Sequence, residues 1–116
     1  MLNHVVMMKF KSAVSEADID GLEQMFDDLP NKIVEIHMYE FGRDILHTER
    51  SYDFALVSLF ANQDALQRYQ EHPAHLQVVS RLKELCEHIV TVDFFGSDSG
   101  DLKSKTPLES LLDDGQ

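Results

Sequence analysis

The chain is poor in the residues that cross-link a fold or break it into short segments. Its 116 residues include one cysteine, three prolines and no tryptophan. The single cysteine, Cys86, excludes an internal disulfide framework and a zinc site built from cysteines. No apolar run approaches the roughly 20 residues that a bilayer-spanning helix needs. Lys9 and Lys11 follow the N-terminal apolar stretch instead of preceding it, so we expect no signal peptide and a cytoplasmic location.

Basic residues are also scarce. The chain has 10 lysines and arginines against 21 aspartates and glutamates, a net charge of −11 with neutral histidines. Residues 97–116 contribute −3 of this charge, from 2 basic and 5 acidic residues, so residues 1–96 carry −8. A field of this sign repels phosphate backbones and anionic membranes. We therefore expect neither a nucleic acid nor a membrane as a partner.

The first part of the chain predicts a strand followed by a helix. The β-rich segment 3–10 predicts the strand. Ser15 predicts the start of the helix, with Asp18 at the capping-box position. Pro30 predicts its end, because the residue before a proline avoids the α region. The apolar stripe of this helix is expected to comprise Ile19, Leu22, Met25, Phe26 and Leu29.

The middle of the chain predicts two strands joined by a polar connection. Apolar and polar residues alternate from 34 to about 42, which predicts the second strand. Residues 43–51 predict a loop or a wide hairpin, and residues 52–60 predict the third strand. The expected faces are Val34, Ile36 and Met38 on the second strand, and Phe54, Leu56 and Phe60 against Ala55, Val57 and Leu59 on the third.

Two more helices and a last strand follow. Asn62 predicts the cap of the second helix, and His72-Pro73 predicts a break, since Pro73 suits the first position of a third helix. Residues 88–95 predict the last strand. The expected buried sets of the two helices are Ala65, Leu66 and Tyr69, then Leu76, Val79, Leu82 and Cys86 with Val78 and Leu85 alongside. In the last strand, Val90, Val92 and Phe94 share one face.

The order β-α-β-β-α(α)-β predicts an α+β, ferredoxin-like fold, in which four antiparallel strands carry helices on one face. The opposite face would then expose more apolar surface than soluble monomers usually tolerate. A second copy packing sheet to sheet would cover it and form a dimeric α/β barrel, so we expect a homodimer. We expect this domain to span residues 1–96. Residues 97–116 form an acidic tail that is either flexible or a short helix capped at Thr106.

The densest group of reactive side chains lies at the predicted helix break, in the segment YQEHPAH of residues 69–75. Histidine titrates near neutral pH and serves as a general base. A tyrosine hydroxyl can donate a hydrogen bond to a carbonyl oxygen that is becoming an enolate. Tyr69 and His75 therefore suit proton abstraction beside a carbonyl. The same residues also suit a structural role, with His72 as a helix cap and the other two packed in the core.

Two further groups have weaker patterns. His72 and His75 are spaced i, i+3, but a transition-metal site also needs a carboxylate or a third histidine in fixed geometry, and we expect no metal. Arg43, His47 and Arg50 in the polar connection are typical of a solvated rim, or of a gate that binds an anion.

Several segments of the chain resemble the stress-responsive A/B barrel (Dabb) family. They are HVVMMKFK at 4–11, EFG at 40–42, ALQRY at 65–69, HPAH at 72–75 and VDF at 92–94. The resemblance spans residues 3–95 and implies a dimeric barrel of ferredoxin-like protomers. The same barrel also hosts haem-degrading monooxygenases that use a catalytic tryptophan, which this chain lacks.

The resemblance also implies roles for individual residues. The family's best-defined enzyme is a plant polyketide cyclase that closes a linear tetraketide by an intramolecular aldol condensation. Its catalytic tyrosine and histidine fall on Tyr69 and His75 here, and a pocket histidine falls on His4. A second pocket histidine falls on Phe54, which is a departure. We place His4, Phe54 and His72 in the ligand pocket and expect no cofactor.

Two functions remain open from the sequence. The first is a protein that binds a small organic ligand near Tyr69 and His75, with cofactor-independent proton-transfer chemistry of a cyclase or aldol type. The second is a non-enzymatic, stress-related or accessory dimer.

Overall fold

A computed structural model describes residues 1–97. The elements are β1 (Leu2–Phe10), α1 (Glu16–Lys32), β2 (Met38–Arg43), β3 (Phe54–Phe60), α2 (Gln63–Glu71), α3 (Pro73–Leu85) and β4 (Cys86–Phe95). In this part of the chain no helix is long and apolar enough to span a bilayer. Our expectation of an acidic tail concerns residues 97–116, of which all but the first lie outside the described residues.

The four strands form one antiparallel sheet in the order β2-β3-β1-β4. The central strand β1 aligns Val5 with Val57 of β3 on one side and with Val92 of β4 on the other. The predicted α+β, ferredoxin-like fold is confirmed. Alternate residues of β1 are buried, as the pleat requires when one face is covered by helices. These buried residues are Leu2, His4, Val6 and Met8.

Helix α1 begins where the sequence predicts but ends later. The Ser15 side chain accepts a hydrogen bond from the Asp18 backbone, and the Asp18 carboxylate accepts one from the Ser15 backbone, which confirms the capping box. The predicted end at Pro30 is wrong, because the helix continues to Lys32. Leu29 and Ile33 are 2% and 1% exposed, so their burial stabilises the final turn. This packing outweighs the loss of the backbone hydrogen bond that Pro30 cannot donate.

Strand β2 starts later than the alternation predicts, at Met38 instead of residue 34. Val34 is 89% exposed, so it forms no part of an apolar strand face. Within β2, Tyr39 and Phe41 pair with the buried residues Ser58 and Leu56 and therefore face the helices. Residues 34–37, which the alternation assigned to the strand, instead connect α1 to β2. The face of β2 that meets the helices is therefore the one predicted to be polar, because neighbouring residues of a strand point to opposite faces.

The break between α2 and α3 is as predicted, and the buried stripe of α3 is as predicted in part. Asn62 caps α2, and Pro73 is the first residue of α3. Leu76 is 51% exposed, and Cys86 opens β4 instead of ending the helix. At 3.6 residues per turn, the face of α3 that meets the sheet carries the predicted residues Val78, Leu82 and Leu85, and Leu76 is left on the solvent side.

The second face of the sheet has no described helix over it. Met7 is 39% exposed, Val92 is 54% exposed and Phe94 is 49% exposed, although all three are large and apolar. Strand pairing places Val5 and Val57 between them on the same face. We call this surface, made of these five residues, the open face.

Candidate functional site

A cavity of about 230 Å³ lies between α3 and the β1–β4 half of the sheet. Most of its wall is apolar and includes Val6, Met8, Phe26, Leu56, Val78 and Leu82. Three residues that the sequence singled out also line it, namely His4, Tyr69 and His75. An apolar cavity with a few convergent polar groups is the usual form of a small-molecule site.

The helix break brings Tyr69 and His75 together. Tyr69 lies in the last turn of α2 and is 1% exposed, and its backbone carbonyl accepts a hydrogen bond from the His72 backbone N–H at 3.2 Å. Pro73 then starts α3 in a new direction, so His75 returns toward the tyrosine ring. The ring centroids of Tyr69 and His75 are 4.2 Å apart.

The Tyr69 phenol is held as a neutral hydrogen-bond donor. Burial raises the pKa of Tyr69 to about 12, although the hydrogen bond with Tyr39 acts in the opposite direction. Its hydroxyl oxygen lies 2.6 Å from that of Tyr39. Burial also raises the pKa of Tyr39 far above its usual value. At neutral pH both phenols keep their protons and can donate them in hydrogen bonds.

His75 is held in the form of a neutral base. Burial lowers its pKa, and the nearby His4 and His72 act in the same direction, against a hydrogen bond to the Gln70 carbonyl. That bond joins His75 Nδ1 to the carbonyl oxygen at 3.2 Å. A carbonyl oxygen only accepts, so Nδ1 carries the proton and Nε2 keeps its lone pair. The unprotonated nitrogen is the one that can accept a proton from a ligand.

His4 is the third polar residue of the cavity wall. It is 6% exposed, and its ring centroid lies 6.2 Å from that of Tyr69. Its Nδ1 donates to Asp93 Oδ1 at 2.5 Å, across the β1–β4 pair in which these two residues are directly opposite. A carboxylate on one ring nitrogen fixes both the orientation and the tautomer of a histidine.

The structure does not bring Phe54 and His72 to the cavity wall. His72 caps α3, and its Nδ1 accepts a hydrogen bond from the Ala74 backbone at 3.0 Å. Phe54 stacks on Phe41, with ring centroids 6.0 Å apart and an interplanar angle of 15°. Leu56, two residues further along β3 on the same face, lines the cavity in place of Phe54.

Residues 2–95 match the family described as the stress responsive A/B barrel domain. The chain belongs to this family. An uncharacterized protein of Streptomyces coelicolor, SCO4036, is 31% identical over 93 residues, which are 78% of this chain and 95% of that protein. Olivetolic acid cyclase of Cannabis sativa is 23% identical over 95 residues, 80% of this chain and 94% of the cyclase.

Solved structures agree with the barrel-domain fold. A dimeric ferredoxin-like protein of unknown function from Thermobifida fusca has a TM-score of 0.74 and 26% identity, covering 80% of this chain and 88% of its own. The hydroxynitrile lyase of Passiflora edulis has a TM-score of 0.76 and 20% identity, covering 84% and 94%. At that identity the lyase supports the fold alone.

Two residues that contact the site of this stress-responsive barrel domain, Tyr39 and Asp93, were not predicted as site residues from the sequence. Tyr39 was missed because the wrong start of β2 turned it away from the core. Asp93 was named only in a family segment, although it is the lone carboxylate of the predicted strand 88–95, a signal that could have marked it. Its contact with His4 joins residues 89 positions apart, and only strand pairing reveals such a contact.

Two other kinds of reactive site, a metal centre and a reactive thiol, find no support in the described part of the barrel domain. In residues 1–97 no cluster of three or more histidines, cysteines or carboxylates is placed to hold a metal ion. Cys86 is buried, and its burial raises the pKa of the thiol to about 11, so the thiolate form is scarce at neutral pH.

Proposed function

We propose that this barrel protein binds a small carbonyl-bearing molecule in the cavity and moves a proton on it. The observation that carries the proposal is the contact between Tyr69 and His75, at a ring distance of 4.2 Å in the wall of an apolar cavity. One residue is a neutral base and the other a neutral donor, which are the two functions that enolisation requires.

The chemistry proceeds in two steps. His75 Nε2 takes a proton from the carbon beside the carbonyl, while the Tyr69 hydroxyl donates a hydrogen bond to the oxygen that gains negative charge. The enolate then either attacks a second carbonyl, as in an aldol reaction, whose new alkoxide takes the proton from the His75 imidazolium, or its carbon takes that proton back. No electrons enter or leave the substrate, so the reaction requires no redox cofactor. His4, oriented by Asp93, positions the ligand beside them.

The size of the cavity limits the substrate. Pockets that hold drug-sized ligands have volumes of roughly 300 Å³ or more, whereas this cavity has a volume of about 230 Å³. The cyclase relative supports carbonyl chemistry, but Phe54 replaces a pocket histidine expected from the family resemblance and packs elsewhere. We therefore expect a substrate different from that of the cyclase.

The cavity also bears on the non-enzymatic alternative. A purely structural dimer would have a filled core at the helix break. Here Tyr69 and His75 border open space instead, which supports ligand binding.

The homodimer and the cytoplasmic location belong to the same proposal. The open face needs cover, and similar proteins from Thermobifida fusca and Bacteroides fragilis are described as dimeric with a ferredoxin-like fold. A second copy meeting the open face would bury Val92 and Phe94 in a twofold interface. The free thiol of Cys86 supports a reducing compartment.

A panel of polyketide-like and β-dicarbonyl compounds tests the proposed function. Turnover is measured for the parent protein and for Tyr69→Phe and His75→Ala. Matched controls are Tyr52→Phe and His37→Ala, which remove the same groups outside the cavity. We expect losses of about 100-fold or more in the two site variants, in line with general acid–base and oxyanion contributions. Equal turnover in parent and site variants would contradict the mechanism.

A further inference from the structure

One cavity residue has no part in the proton transfer. Lys83 lies on α3 and lines the same wall as His75. It is the one lysine or arginine among the residues that border this cavity, and its side chain belongs to an exposed residue. Because Lys83 both lines the cavity and is exposed, it lies at the mouth, where the wall formed by α3 meets solvent.

The charge of Lys83 has no partner in the described part of the chain, unlike that of the arginines around it. Arg81 pairs with Asp18 at 3.0 Å, and Arg68 pairs with Glu35 at 3.0 Å. Arg43 is held by three carboxylates of α1, so it is not available to a ligand; these are Glu16, Asp20 and Glu23. Among residues 1–97, no carboxylate forms an ion pair with Lys83.

In an acidic protein, an unpaired cation at the mouth of an apolar cavity favours the binding of an anion at that place. The chain carries a net charge of −11, so its overall field opposes the approach of an anion. A local ammonium group offsets that repulsion at one place and supplies three hydrogen-bond donors to a carboxylate. A neutral ligand would gain none of the charge attraction in this arrangement.

We propose that the cavity takes a small keto acid, with the carboxylate bound by Lys83 and the carbonyl at Tyr69 and His75. This inference rests on the proposed function and names its substrate class. His75 and Lys83 are eight positions apart on α3, which corresponds to an axial rise of about 12 Å between their backbones. The flexible lysine side chain reduces the distance that a ligand has to bridge. The reacting carbonyl is therefore several bonds from the carboxylate, as in 5-oxohexanoate.

Paired ligands that differ in charge test the inference. The dissociation constants of 5-oxohexanoate and 5-oxohexanamide are measured by NMR titration at low and high salt. We compare the parent with Lys83→Met, which keeps the apolar stem, with Lys83→Glu, and with the control Lys32→Met at the end of α1. Lys83→Met should weaken binding of the acid about three- to fivefold, as expected for an exposed ion pair, and leave the amide unchanged. Lys83→Glu should weaken the acid further, and salt should reduce the acid's advantage.

The outcomes separate this inference from the proposed function. If the parent binds neither compound, the proposed function fails. If it binds both equally and Lys83→Met changes neither affinity, the lysine does not select anions and only the inference fails. If Lys83→Met weakens acid and amide alike, the side chain acts through packing, which also overturns the inference.

Discussion

The hydroxyl oxygens of Tyr39 and Tyr69 lie 2.6 Å apart within the core. Burial is the main reason that both phenols keep their protons at neutral pH, so one hydroxyl of this pair donates to the other. In the arrangement that suits the proposed function, Tyr39 donates and Tyr69 accepts. The proton of Tyr69 is then free to be donated to a ligand. Tyr39 is thus a positioning residue that acts through Tyr69.

Replacing Tyr39 with phenylalanine removes this donor and keeps the ring. We expect turnover to fall about tenfold with little change in KM, because the loss affects the transition state, in which the oxyanion forms. The measurement is steady-state kinetics beside Tyr69→Phe, with Tyr52→Phe as the control. A change in KM alone would show that Tyr39 only shapes the cavity.

The rate should depend on pH through His75. Only the neutral imidazole is a base, and burial lowers its pKa below the ordinary 6.5. The rate should therefore rise with pH through a value below 6.5 and stay level above it. Tyr69, with a pKa of about 12, adds no fall below pH 10. A profile that still rises between pH 7 and 9 would exclude His75 in this role.

The pair His4 and Asp93 should contribute to stability. Asp93→Asn replaces a charged acceptor with a neutral one beside a buried imidazole. We expect the free energy of unfolding to fall by about 1–2 kcal/mol, discounted because the Asp93 side chain is 38% exposed. Urea denaturation measures the change. The control Asp28→Asn removes an exposed carboxylate near the C-terminal end of α1, where negative charge is unfavourable, and should leave stability equal or slightly higher.

The open face predicts the oligomeric state. The parent should sediment at twice the mass of one chain, and Val92→Glu should sediment as a folded monomer, because Val92 is already 54% exposed in a single copy. Val34→Glu, at an exposed position outside the sheet, should remain dimeric. A parent that sediments as a folded single chain at micromolar concentration would remove the dimer from the account.

Features that depend on neighbouring residues could be predicted from the sequence. Ser15, Asn62 and Pro73 mark helix starts through contacts within one turn, and all three starts are confirmed. The order of elements and the grouping of Phe54, Leu56 and Phe60 on one face of β3 then follow from periodicity. These local patterns were enough to predict the ferredoxin-like fold.

Features that depend on distant residues could not be predicted. Tyr39 meets Tyr69 only because β2 pairs with β3 in one register, and a shift by one residue would turn it outward. Phe54 and His72 were expected in the ligand pocket, but ring stacking and helix capping take their side chains elsewhere. The cavity itself is a gap between α3 and two strands, which no local pattern encodes.

Deuterium exchange tests the central claim most directly. In heavy water, 5-oxohexanoate and 5-oxohexanamide exchange the hydrogens beside the ketone slowly, and NMR follows the loss of their signals. The account predicts that the parent accelerates this exchange and that His75→Gln abolishes most of the acceleration, with His37→Ala unchanged. Exchange at the uncatalysed rate in the presence of bound ketone would contradict proton abstraction in this cavity.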